Sequence, residues 1–416
     1  MFALLRHRNF ALLWWGGLIS ITGNRVLTVA VPYYIYAQTG STLVTAAMML
    51  AMIVPSMLFS SIAGVFVDRW DRRQIMLVTN FILVFTLLPL LFLQRTGWTW
   101  LIYIVAFLEA TVSTFFYPAE NALLPQVVGK DQLLAANTLN SLNNTLAGLI
   151  GPALGGILLG RWGLEFVVLF DCLSYLLAGL CVYFVNLPPE LTQTRSPETM
   201  PEPFSWRKFW SEWYAGVALI RRKRVIAILF VVASLSALGG TMLDPLVAPF
   251  MQDILQISAE TFGWILTLGG IAGTVGGFLI GQFSAKVRPA MLYSISSILN
   301  GVLLLLMYRS NALTVVIALG TLSSLISIGS RVAMPTLLQE NVEDAYRGRV
   351  FGTLDTTIAI LVLLGVGFSG IMGERIGIVP VLSIGSGIML AAGLASLWLL
   401  LRKPSARENT RQVTRE

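Results

Sequence analysis

The sequence predicts an all-α integral membrane protein of twelve transmembrane helices arranged as two pseudo-symmetric six-helix bundles. Three observations carry this. Apolar residues make up 56% of the chain and charged residues 12%, with a mean hydropathy of +0.77, whereas roughly a quarter of a soluble domain is charged. Twelve apolar runs follow one another, each near the roughly 20 residues that cross a bilayer as a helix. Proline and glycine also recur between the halves at one offset, since 249−32, 281−64, 335−118 and 365−148 all give 217, which reads as an internal duplication.

The first run, 10–36, is too long for a signal peptide and lacks a small-residue cleavage site, so it reads as a retained helix. Runs at 43–66, 74–94, 98–119, 133–159 and 164–186 complete the first bundle, 1–186. Cys172 and Cys181 both fall in the sixth run and read as packing residues, because two thiols make a poor metal site. No metal or cofactor is expected. The segment 187–223 is the one long polar stretch, rich in proline and then in Trp206, Phe209, Trp210, Trp213 and Tyr214 beside Arg207 and Lys208. That spacing predicts an amphipathic helix lying on the inner membrane surface. Runs at 225–250, 261–284, 291–308, 312–335, 350–373 and 378–401 form the second bundle, 224–402, and residues 403–416 a cytoplasmic tail. In the eighth run Gly269, Gly273, Gly277 and Gly281 form a packing stripe on one helix face.

Charge fixes the expected orientation. With the N-terminus inside, Arg6, Arg8, Arg69, Arg72, Arg73, Lys130, the 195–224 cluster, Lys286, Arg288, Arg347, Arg349 and the tail are cytoplasmic, and Arg95, Arg161, Arg309 and Arg375 lie outside. This is the positive-inside distribution, and an even number of spans returns the C-terminus to the same side. The net charge of +7 follows from that topology and the anionic inner leaflet, so nucleic acid is not an expected partner. The expected location is the inner (cytoplasmic) cell membrane.

Two segments point to a family. Between the second and third runs, Gly64-Val65-Phe66-Val67-Asp68-Arg69-Trp70-Asp71-Arg72-Arg73 resembles the G-x-x-x-D-R-x-G-R-R signature of the major facilitator superfamily. Asp71 stands where the general pattern has glycine, as in the drug-antiporter branch that includes macrolide efflux proteins and the enterobactin exporter. In the fifth run, Gly148, Gly151, Pro152, Gly155 and Gly156 resemble the G-x-x-G-P-x-x-G-G pattern of exporters. The resemblance implies two rocking six-helix halves with a substrate site near the midplane. It also implies a gating role for Gly64, Asp68, Arg69, Arg72 and Arg73, with Asp68 stabilised at a neighbouring helix N-terminus. Small residues in the second motif let two helix backbones approach, and Pro152 lets the helix bend.

Charges inside the spans are the candidate working groups, because each costs about 2.5–3.5 kcal/mol on insertion scales. Arg25 follows Asn24 near the centre of the first run, and Glu109 lies midway along the fourth. The expectation is that Arg25 and Glu109 interact across the cavity and that Glu109 carries an exchanged proton. Asp244, just before Pro245, marks an expected helix break with exposed carbonyls. Asp171 and Asp355 are expected to fix helix contacts.

Together these readings predict a secondary active exporter of an amphipathic small molecule, a drug, macrolide-like compound or siderophore, working by alternating access, with the substrate, protons and the lipid bilayer as the expected partners. A lipid or lysolipid flippase and, in another class, a membrane-bound sensor or scaffold are the alternatives. An enzyme is not expected, since the single histidine, His7, lies among Arg6 and Arg8 and triads and zinc sites need histidine in the core. Each chain holds both halves, so a monomer is expected.

Overall fold

The computed structural model describes residues 2–93, 97–186, 206–283 and 287–401. The proline-rich 187–205 segment and the tail lie outside the described residues, as do Arg95 and Lys286. Among those described, every long element is a helix. In chain order they are α1 (Arg8–Thr39), α2 (Thr42–Arg69), α3 (Arg72–Leu87), α4 (Trp100–Val128), α5 (Leu133–Trp162), α6 (Leu164–Tyr183), α7 (Trp206–Arg222), α8 (Arg224–Leu243), α9 (Ala259–Phe283), α10 (Pro289–Met307), α11 (Leu313–Asn341), α12 (Asp344–Ile376) and α13 (Ile378–Leu401).

Eleven of these segments are long and apolar enough to cross a membrane. The remaining long helix, α1, has the length, but Asn24-Arg25 interrupts its apolar run at mid-helix. A polar pair at that depth is expensive in lipid, which makes α1 a candidate to carry function. The amphipathic segment forms a helix, α7, as its spacing predicts.

Local sequence explains the helix ends. Gly40 terminates α1 with φ +62°, a conformation L-residues with a Cβ avoid. Ser41 then caps α2, its hydroxyl accepting from the Val44 N–H at 3.1 Å. After α8 the backbone turns as a 3₁₀ segment at Asp244–Leu246 and later as a π turn at Phe250–Ile254. The break falls where Asp244-Pro245 predicts it, because Pro245 cannot donate to the preceding turn.

Two compact units emerge. One comprises Met1–Phe204, Pro245–Ile271 and Val366–Ile378, the other Ser205–Asp244, Ala272–Gly365 and Val379–Glu416. The core of the first gathers Val26, Ala30 and Ile35 of α1, Leu83 and Leu87 of α3, Ile102 and Val105 of α4, and Val167, Cys172 and Tyr175 of α6. In the second, Leu229 and Val232 of α8 pack with Tyr293 of α10, Leu337 of α11 and Leu354 of α12. Large side chains such as Phe85 and Phe278 remain exposed, as suits helices whose solvent is itself apolar and whose association rests on close packing.

Candidate functional site

The polar centre of the first unit assembles from three helices. On α4, Glu109 is 4% exposed. Its Oε1 accepts from Asn24 Nδ2 of α1 at 3.0 Å, from Ser113 Oγ one turn along α4 at 3.2 Å, and over a longer 3.5 Å from the Tyr175 hydroxyl of α6. All of these donors are neutral. One turn before Tyr175, Asp171 is fully buried, with Oδ1 accepting from Ser174 Oγ at 2.9 Å and Oδ2 without a partner. Neither carboxylate has an ion-pair partner among the described residues.

The expected Arg25–Glu109 pair does not form; Asn24 takes that place. Successive residues on a helix point about 100° apart, so a register that aims Asn24 at α4 and α6 turns Arg25 toward α5. There its Cβ lies against Gly151, and its side chain is exposed. A small cavity of about 20 Å³ adjoins the cluster, lined by Ser20, Asn24, Asn80, Ser113 and Tyr175 with Phe116 and Tyr117. A second of similar size, lined by Thr28, Met48 and Met52, reaches Glu109 from its apolar side.

Sequence reasoning missed Ser20, Asn80, Ser113, Tyr175 and Glu120. A signal was present. Ser20, Asn24 and Thr28 recur every fourth residue on α1, and Glu109, Ser113 and Tyr117 follow the same spacing on α4, with Glu120 three residues further on, which marks one polar stripe on each helix. Glu120 is half-buried and faces the position of Gly17.

At the α2–α3 turn the structure separates residues that the motif groups. Asp68 is exposed. The carboxylate on the helix N-terminus is that of Asp71, whose Oδ1 accepts from the Arg73 and Gln74 N–H groups at 2.8 and 3.1 Å. Arg72 donates to the Ala122 carbonyl of α4 at 3.4 Å, and Arg73 to the Val182 and Tyr183 carbonyls at the end of α6 at 3.2 and 2.5 Å. The two arginines therefore tie α3 to the ends of α4 and α6. Arg69 is exposed, and a Cβ on Gly64 would meet nothing within 4 Å.

On α5, the glycine motif presents two faces. A Cβ at Gly155 would lie 2.8 Å from the Val26 carbonyl of α1, and one at Gly156 would lie 2.9 Å from the Gly263 Cα of α9. Gly151 likewise abuts Arg25, Pro152 is buried within the helix, and Gly148 faces open space. Backbone contact on both sides is what the small residues permit.

At the opposite end from the α2–α3 turn, α1 grips the segment after α8. The Tyr36 hydroxyl donates to Asp253 at 2.5 Å, the Tyr33 hydroxyl to the Ile257 carbonyl at 2.7 Å, and Gln252 Nε2 to the Tyr33 carbonyl at 2.8 Å. Arg161 and Glu260 form a fork of 3.0 and 3.3 Å beside them. Ser41 donates to Glu374. In the second unit, Asp244 is exposed, within electrostatic reach of Arg331 on α11.

Comparison with known proteins adds family context. Residues 1–414 match the profile of a family described as transmembrane secretion effectors. Macrolide efflux protein A of Streptococcus pyogenes is 24% identical over 378 residues, covering 89% of this chain and 90% of that one. Macrolide efflux protein A of Enterococcus faecalis is 23% identical over 334 residues, covering 78% and 99%. The crystal structure of a bacterial homologue of the iron transporter ferroportin in its inward-facing state is similar with a TM-score of 0.74, at 16% identity and over 95% and 99% of the two chains.

Proposed function

We propose an export function for this chain, which belongs to the transmembrane secretion effector family of major facilitator transporters. It is a multi-pass membrane transporter and not an enzyme. In our reading it moves an amphipathic small molecule, a drug, macrolide-like compound or siderophore, out of the cell by alternating access in exchange for protons. It acts as a monomer, with both termini and the arginine-rich α2–α3 turn in the cytoplasm, the side favoured by the positive-inside rule.

One observation carries the coupling. Glu109 is buried, held by Asn24, Ser113 and Tyr175, and has no ion-pair partner among the described residues. A permanently charged carboxylate at that depth is costly, whereas one that gains and loses a proton during the cycle resolves the cost in one state and binds through its charge in the other. The export direction is supported by the glycine motif on α5 and by relatives named as macrolide efflux proteins.

The test uses everted membrane vesicles under a proton gradient, given macrolides, lipophilic cations, catechol siderophores or lysolipids, with proton release recorded against vesicles lacking the protein. Release on adding one of the first three classes, abolished by Glu109→Gln, is the expected outcome. Release with lysolipids alone would turn the reading to a flippase, and release with none would remove proton coupling.

A further inference from the structure

We propose that the cavity beside Glu109 is a binding site for a small monovalent cation of the size of Na⁺. Its dimensions suit one such ion. At about 20 Å³ it exceeds the roughly 10–15 Å³ needed for a single water.

Its chemistry is more specific than its size. Several of the polar side chains around it direct hydrogens elsewhere, and the Tyr117 hydroxyl lines it beside them. Ser20 Oγ donates to the Gly17 carbonyl at 3.4 Å, Ser113 Oγ and the Tyr175 hydroxyl donate to Glu109, and Asn80 Nδ2 donates to the Met76 carbonyl at 2.8 Å. Asn24 Nδ2 is likewise held by Glu109. What the Ser20, Ser113 and Tyr175 hydroxyls offer the cavity is oxygen lone pairs. Asn80 is 1% exposed and its Oδ1 has no hydrogen-bond partner, an arrangement that is costly unless something in the cavity satisfies it.

Charge points the same way. Glu109 is hydrogen-bonded to three of the lining groups, and Asp171 is close enough to act on it electrostatically. The nearest basic group on α1, Arg25, acts on Tyr117 and forms no ion pair with either carboxylate. Hard oxygen donors with a carboxylate behind them are the ligand set of a hard cation. A neutral water would satisfy at most two of these acceptors with its hydrogens.

Binding is measured without transport, so the outcome is independent of the export reading. The full chain, purified into lipid nanodiscs, is titrated with ²²Na⁺ at fixed pH, with choline holding the ionic strength. Saturable binding, displaced by unlabelled Na⁺ and weakened about tenfold or more by Asn80→Ala, by Ser20→Ala and by Glu109→Gln, is expected, in line with the loss that follows removal of a group at an ion site. Should Asn80→Ala not yield folded protein, Ser20→Ala decides. Absence of saturable binding by the unmodified chain, or binding by folded Asn80→Ala or Ser20→Ala equal to it, overturns the proposal.

Discussion

At the scale of single residues, the proposed coupling rests on side chains that lack, among the described residues, the partner their charge would ordinarily demand. Glu109 shares its hydrogen bonds with neutral groups. Replacing Asn24 by Ala would remove the shortest of them and leave a buried acceptor less satisfied, so Asn24→Ala should lower coupled export by about tenfold, read as the initial rate of substrate efflux. Asp71 has a different task. It caps α3 with two N–H bonds, so Asp71→Ala should cost about 1 kcal/mol of stability, seen as a lower melting temperature in detergent. The departure from the family glycine at this position thus has a local physical account. Sequence alone could place both acids near helix turns but could not say which one met the N–H groups, because Asp68 and Asp71 differ by less than one helical turn.

At the scale of elements, α1 and α5 organise the first unit. Gly155 lets α5 approach the α1 backbone at Val26, so Gly155→Val should separate the two helices and cost about 1–3 kcal/mol, measured by the same melting assay. Gly148→Ala, which faces open space, should leave stability close to that of the unmodified chain. The glycine spacing was legible as a packing motif; which glycine touches which neighbour was not, since that depends on the rotation of α5 between α1 and α9. The same holds for α1. A register of one residue decides whether Asn24 or Arg25 meets Glu109, and nothing in the apolar pattern fixes it.

At the scale of the whole molecule, the sequence-level duplication acquires a structural counterpart. Tyr36 and Asp253, which share a 2.5 Å hydrogen bond, are separated by 217 residues, the offset at which Pro32 and Pro249 recur. The contacts flanking them repeat the same relation. Gly156 and Gly263 meet across α5 and α9, and their equivalents, Gly373 (156+217) and Ala46 (263−217), belong to the α12 and α2 segments that meet through Gly370 and Thr42. Tyr36→Phe removes a bond to a charged acceptor, so a cysteine at Thr42, in a background where Cys172 and Cys181 are serine, should react with an impermeant maleimide about tenfold faster in intact cells. The helix count, the break at Asp244 and the family were legible because hydropathy, proline and a short charged turn encode them locally. Asn24 and Glu109 were named from the sequence, but their joining with Tyr175 into one polar centre from α1, α4 and α6, with Asn80 of α3 beside it, was not, because only tertiary packing brings these residues together.

Coupling through Glu109 is the central claim, and reconstituted proteoliposomes test it most directly by comparing two modes of transport in Glu109→Gln. Exchange of labelled for unlabelled substrate needs only the alternation of states, whereas uphill accumulation needs the proton. The variant should retain exchange and lose accumulation driven by a pH gradient. Full accumulation by Glu109→Gln would contradict the account.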